Sequence, residues 1–219
     1  MAYAWMPEAR RIRADADGGP LGGGAPRAVW LALGSIPGAV SVQSAAQRLI
    51  GEQRPCHLIW DPVSGEVAQL ISVLRAGRAL GAPDRLDWAP DRIRARPQNI
   101  NAQGRVCVQI GVLAGLAEPF TSGPLIGVEA IVNWLDSWGI TRRWPSGPPG
   151  GTPAGQQRGR SRAQWARGGH FGASQVPGCE NAGPGSIDIT RLTGTHALST
   201  RPRHLPATLT GTAVLAIPA

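Results

Sequence analysis

Lysine is missing from this sequence altogether, so all 22 basic residues are arginines; against 14 acids they give a formal net charge of +8. An excess of that sign suits nucleic acid, anionic glycopolymers or anionic membrane surfaces. The arginines are dispersed, however: Arg10, Arg11 and Arg13 near the start, Arg92, Arg94 and Arg96 mid-chain, and Arg158, Arg160, Arg162 and Arg167 in a Gly-rich stretch. No continuous basic tract argues for a nucleic-acid partner. A chain rich in Ala, Gly, Pro and Arg and empty of Lys also fits biased codon usage.

Cysteine is nearly as scarce. Cys56, Cys107 and Cys179 are odd in number, follow no spacing motif, and two of them lie in apolar runs, which excludes a secreted disulfide framework. The opening MAYAWMPEARRIRADADGG lacks the apolar h-region of a signal peptide. No run reaches the roughly 18 apolar residues of a membrane helix. These absences predict a cytoplasmic protein, or one released without a classical signal. Other chemistries are missing too. Without lysine, no glycine-dense loop can end in the Lys-Ser/Thr of a phosphate-binding loop. Ser35 in LALGSIPG is not framed as a nucleophile elbow. Asp61, Glu66, Glu118, Glu129 and Asp136 are scattered and read as solvated charge.

What is present describes a globular chain. Its 219 residues, 42% hydrophobic with eight tryptophans, suit one domain with a sizeable core. Thirty Gly and 20 Pro predict long irregular connections. Residues 1–26 read as an N-terminal arm closing in GGPLGGGAP, residues 27–193 as the folded domain, and residues 194–219 as a poorly ordered tail. Within the domain we expect a strand over 28–33, a helix over 41–53 capped by Ser41, and a hairpin from CHLIW and EVAQLISV around DPVSG. A loop follows over 81–104. VCVQIGVLAG reads as a buried strand. The spacing of Leu125, Val128, Ile131, Val132, Leu135 and Trp138 predicts a helix over 123–138, opened by Ser122 and Pro124 and stopped by Gly139. A loop over 144–159 and a short element around 187–192 complete the pattern.

The segment GGHFGASQVPGCENAGPGSID, Gly168 to Asp188, carries the sharpest message. It resembles the zinc motif of the N-acetylmuramoyl-L-alanine amidases of actinobacteria and their phages, roughly G-H-S-Q-V-P-G-x-x-H-x-D-P-G. Ala173 stands at the first motif His, Asn181 at the second, and Gly183 at the Asp. The similarity extends to AWMPEAR with GGPLGGGAPRAVW, to PCHLIWDPVSGEVAQ against H-L-x-W-D-P-x-T-G-E-x-x-Q, to VCVQIGV against C-x-Q-I-E-V, and to WLDSWGITRRWPSGPP. It covers roughly residues 4–193. The resemblance implies an α/β fold of the type 2 amidase or peptidoglycan recognition protein kind, with a mixed central β-sheet flanked by helices. It also implies a cleft in which the active family cleaves the amide between N-acetylmuramic acid and the first alanine of the stem peptide. The remaining zinc-binding His would fall on Leu31, with Trp30 beside it if the register slips by one, and an acidic position would fall on Gly111.

A catalytic zinc takes three ligands from His, Cys and carboxylates and keeps one position open. Leu31 and Ala173 offer no donor atom, and Asn181 offers a neutral amide oxygen better suited to hard cations. The first expectation is therefore a catalytically inactive amidase-like protein with no cofactor, binding a peptidoglycan fragment or a protein partner in the old cleft near Trp30, His57, Gly111, His170, Gln175 and Cys179. The second is an active amidase with a relocated zinc site drawn from His57, His170, Cys179 and Cys56. The third is a structural component of a phage-derived assembly, with the Arg-rich loops as contact surface. Taken singly, His57 reads as a sheet-supporting histidine and Cys179 as a plain thiol.

Overall fold

The computed structural model describes residues 2–35, 38–81, 99–116, 118–151, 160–179, 181 and 183–194. Six strands form one sheet: β1 (Arg10–Arg11), β2 (Arg27–Ala32), β3 (Leu58–Trp60), β4 (Val67–Gln69), β5 (Cys107–Val112) and β6 (Gly169–Gly172). Their order is β1-β4-β3-β5-β2-β6. The β3–β4 hairpin is antiparallel, whereas β3–β5, β5–β2, β2–β6 and β1–β4 are parallel, so this is a mixed α/β sheet. Its central strands are buried on both sides: β5 is buried at every position and β2 at all but Ala32. Continuous apolar runs such as AVWL and VCVQIGV are what a strand with two covered faces requires.

Helix α1 (Val42–Gly51) covers one face with Val42, Ala45, Ala46 and Leu49, and the Ser41 hydroxyl accepts from the Ser44 amide at 3.1 Å as its N-cap. Helix α2 (Val128–Ser137) covers the other with Ile131, Val132, Trp134 and Leu135. Two short helices, α3 (Arg162–Ala166) and α4 (Ile189–Thr193), add Trp165 to the cluster under α1 and Leu192 to the cluster under α2. Helix α2 starts later than the apolar spacing predicts. Residues 123–127 are held by the hairpin turn instead, since the Ile126 amide donates to the Pro62 carbonyl and the Trp60 indole donates to the Ile126 carbonyl at 2.8 Å. Gly127, at φ +81°, then turns the chain into the helix. The stop at Gly139 is as expected: at φ +74° its amide bonds Asp136 and the next amide, Ile140, bonds Leu135, the paired closure that favours glycine there.

The N-terminal arm is more ordered than its composition suggests. Arg10–Arg11 adds the edge strand β1, and the Ile12 and Ala14 amides continue the ladder to Gln69 and Leu70. Met6 is buried, and the indoles of Trp134 and Trp138 both donate to the Tyr3 carbonyl. Gln69 fixes this docking by accepting from the Met6 amide and donating to the Ala4 carbonyl at 3.0 Å. The expected tail beyond Gly194, most of the 81–104 loop and half of the 144–159 loop lie outside the described residues; the part at 99–104 includes a 3-10 turn, Ile100–Ala102. Among the described residues no helix is long and apolar enough to cross a membrane.

Candidate functional site

Register places the inferred ligand positions. On the α1 face, Leu31 of β2 pairs with Gly111 of β5, and Gly111 pairs with Ile59 of β3. Strand β6 ends at Gly172 beside Trp30, so Ala173 follows where the chain leaves the sheet in a 3-10 turn. Leu31, Ala173, Cys56 and Cys179 all belong to the same apolar cluster under α1, each almost wholly removed from solvent. Leu31 and Gly111 are thus paired, and Ala173 follows directly after β6, towards the C-terminal ends of parallel strands. Ligands in open α/β sheets are commonly bound beyond such ends.

The space that an acid at position 111 would occupy is filled. A Cβ on Gly111 would sit 3.0 and 3.1 Å from the Leu33 methyl carbons and 3.2 Å from the Cys56 sulfur. Asn181, by contrast, is partly exposed and engaged. Its amide donates to the Ala79 carbonyl at 2.9 Å, and its oxygen accepts from Arg54 Nη2 at 3.3 Å. These residues do not fit zinc: two are hydrocarbon, and the third uses both ends of its amide to hold the surrounding loops.

Leu31 and Asn181 line one cavity of about 300 Å³ together with Ala32, Leu33, Gly34, Arg48, Leu49, Glu52, Arg54, Ala79 and Leu116. Its floor is aliphatic and its rim charged. Arg48 is anchored by donating from Nη2 to the Leu33 carbonyl at 3.2 Å, and Arg54 by donating to the Ala79 carbonyl at 3.3 Å. A larger cavity of about 590 Å³ shares Glu52 and Arg54 with it. Arg48, Glu52 and Arg54 had no local pattern to single them out; they are three charges near the end of one helix, and only the fold turns them toward Leu31.

The alternative ligand set is not assembled. His170 lies on the α2 face, stacked on Trp30 with centroids 6.1 Å apart and beside Trp144 at 5.6 Å, while Cys179 lies on the α1 face. Its Nδ1 accepts from the Trp30 indole at 3.1 Å, and burial pushes its pKa down to about 3. His57 is occupied at both nitrogens: Nδ1 accepts from the Gln109 amide at 3.1 Å, and Nε2 donates to the Arg75 carbonyl at 2.9 Å. Burial pushes its pKa down to about 4. Cys56 donates to the Leu58 carbonyl, and burial raises its pKa to about 12. Among the described residues no three His, Cys, Asp or Glu side chains gather where they could hold a metal. A relocated site would need donors from both sides of a close-packed sheet.

Trp30 and Gln175 are likewise structural in this setting. Trp30 is fully buried under α2. Gln175 accepts from the Gly172 amide at 2.9 Å and donates to the Gly147 carbonyl at 3.0 Å, which ties the turn after β6 to the 144–151 segment. Gln175 of the motif therefore has a scaffold role that needs no metal.

No protein-family model matches the sequence, and no curated protein is significantly similar to it. Among solved structures, the chain is similar to the Staphylococcus aureus hydrolase AmiA in complex with its ligand, at 6% identity over 80% of this chain and 72% of that one, with a TM-score of 0.46. It is also similar to the endolysin N-acetylmuramoyl-L-alanine amidase LysCS from Clostridium intestinale, at 11% identity over 88% and 97%, with a TM-score of 0.45. Likenesses this remote carry no argument about chemistry, which rests on the residues themselves.

Proposed function

We propose that this protein is a catalytically inactive amidase-like protein that binds a peptidoglycan fragment in the cavity beside Leu31 and Asn181. The observation that carries the reading is chemical: the positions that the sequence motifs give to zinc ligands hold Leu31, Ala173 and Asn181, and Leu33 with Cys56 fills the place of the acid at Gly111. Without a donor set there is no carrier for Lewis-acid activation of water. The cavity beside these positions, about 300 Å³ with an aliphatic floor and charged rim, is of the size and mixed lining of a small-ligand site. That favours a muropeptide over a protein partner.

Two measurements test it. Calorimetry with N-acetylmuramoyl-L-alanyl-D-isoglutamine should show saturable binding that Leu33→Trp, by filling the cavity, abolishes without unfolding the chain. Protein prepared with zinc should retain no stoichiometric metal and release no stem peptide. Tightly held zinc at one per chain, or turnover of a muropeptide, overturns inactivity; absence of binding overturns the ligand.

A further inference from the structure

We propose that the 300 Å³ cavity is a carboxylate pocket, in which the guanidinium groups of Arg54 and Arg48 supply the positive charge and Asn181 positions Arg54. This rests on reading the cavity as the ligand cleft and adds how the ligand is recognised.

Both arginines are exposed and line the cavity rim. Each is tethered through Nη2, Arg48 to the Leu33 carbonyl and Arg54 to the Ala79 carbonyl and the Asn181 oxygen. A guanidinium has five N–H donors in a fixed fork, so these tethers orient the group and leave donors for a ligand. Pre-orientation lowers the side-chain entropy lost on binding. Asn181 in turn is fixed by donating to the Ala79 carbonyl at 2.9 Å. Among the described residues no acid lies within ion-pair distance of either arginine.

The charge balance selects the ligand class. Among the described residues two arginines and Glu52 share the rim, a net charge of about +1 from those groups at neutral pH, which suits a monoanion and disfavours a phosphate dianion beside Glu52. The lining leucines, buried Leu31 and Leu49 with part-buried Leu33 and exposed Leu116, suit aliphatic groups. An acylated short peptide with a free carboxylate meets both demands: guanidinium forks match carboxylates geometrically, and its amide N–H groups can face Glu52.

The test compares N-acetylmuramoyl-L-alanyl-D-isoglutamine as the free acid and as its terminal amide, titrated calorimetrically into the full chain. The acid should bind about tenfold more tightly than the amide. Arg54→Met should erase that difference, and Arg54→Lys should restore part of it. Asn181→Asp, which sets a competing carboxylate beside Arg54 and gives up the bond to the Ala79 carbonyl, should lower the melting temperature slightly and weaken acid binding more than amide binding; the fall in the acid-to-amide affinity ratio, which a merely structural role would not move, reports the positioning. Equal binding of acid and amide overturns the carboxylate pocket and leaves the cleft reading standing. If Arg54→Met fails to fold, acid binding that is unaltered in Asn181→Asp overturns the proposal. Binding of neither compound overturns both readings.

Discussion

The two faces of the sheet are built from different materials. Under α2 the core is aromatic: Trp30, Trp60, Phe120, Trp134 and Trp144 are buried there, with Trp30–Trp60 and Trp60–Phe120 in edge contacts of 6.2 and 6.0 Å. Under α1 it is largely small and aliphatic, with Ala45, Ala46, Ala68, Ala79 and Ala173 beside Cys56, Cys107 and Cys179, and one aromatic pair, Trp165–Phe171. Large rings bury much area and define one packing arrangement, so the α2 face anchors the fold. The small face lets α1 approach closely and leaves the cavity beyond the end of β2. Leu31, Ala173 and Gly111 lie on this second face, and Asn181 lines the cavity beside it, whereas Trp30 faces α2. Leu31 and Ala173 present no polar donors to this face, and donors buried there without a partner would be costly.

The largest expected break in this contrast is Trp30→Ala. Truncating a fully buried indole should cost about 3–5 kcal/mol in chemical denaturation and orphan the His170 ring. On the other face, Gly111→Glu should cost about 3 kcal/mol or more, because it buries a charge against Leu33 and Cys56. A Gly111→Glu chain of wild-type stability would show that the α1 face still has room for the acid. Acid sensitivity should belong to the sheet as a whole. His57 and His170, with pKa values pushed down by burial to about 4 and about 3, bind fewer protons folded than unfolded. Stability is then fully present above about pH 6.5 and falls below it, by about 1.4 kcal/mol per histidine for each pH unit, until the folded pKa is reached. Melting temperature against pH should show this slope between pH 6 and 4, and His57→Gln should remove about half of it. Gly139→Ala, which forces a side chain into the left-handed region at φ +74°, should cost about 1 kcal/mol. The smallest effect is a null: all three thiols, buried and outside any disulfide, should stay unmodified by a thiol reagent until the chain unfolds.

Much of the fold is legible because its elements state their period locally. The strands AVWL and VCVQIGV are continuous apolar runs, and the Ser41 cap and Gly139 stop follow from residue chemistry alone. The start of α2 is not legible, because residues 123–127 are claimed by the Pro62 and Trp60 partners and propensity gives way to a long-range bond. The edge strand β1 is hidden for the same reason: two arginines in a polar arm become a strand through β4 and Gln69. At the candidate site, the positions Leu31, Gly111, Ala173 and Asn181 could be named from motif spacing. Which of them are neighbours, and that Leu33 and Cys56 fill the space at Gly111, could not.

By itself the sequence determined which side chains carry donors, and hence that zinc has no cradle in Leu31, Ala173 and Asn181; composition is a local property and needs no fold. Only the tertiary structure decided that His170 and Cys179 lie on opposite faces of one sheet, and that Arg54, 127 residues from Asn181 along the chain, shares a hydrogen bond and a cavity with it. Strand pairing and helix packing set those proximities, and they depend on long-range contacts that no stretch of sequence encodes alone.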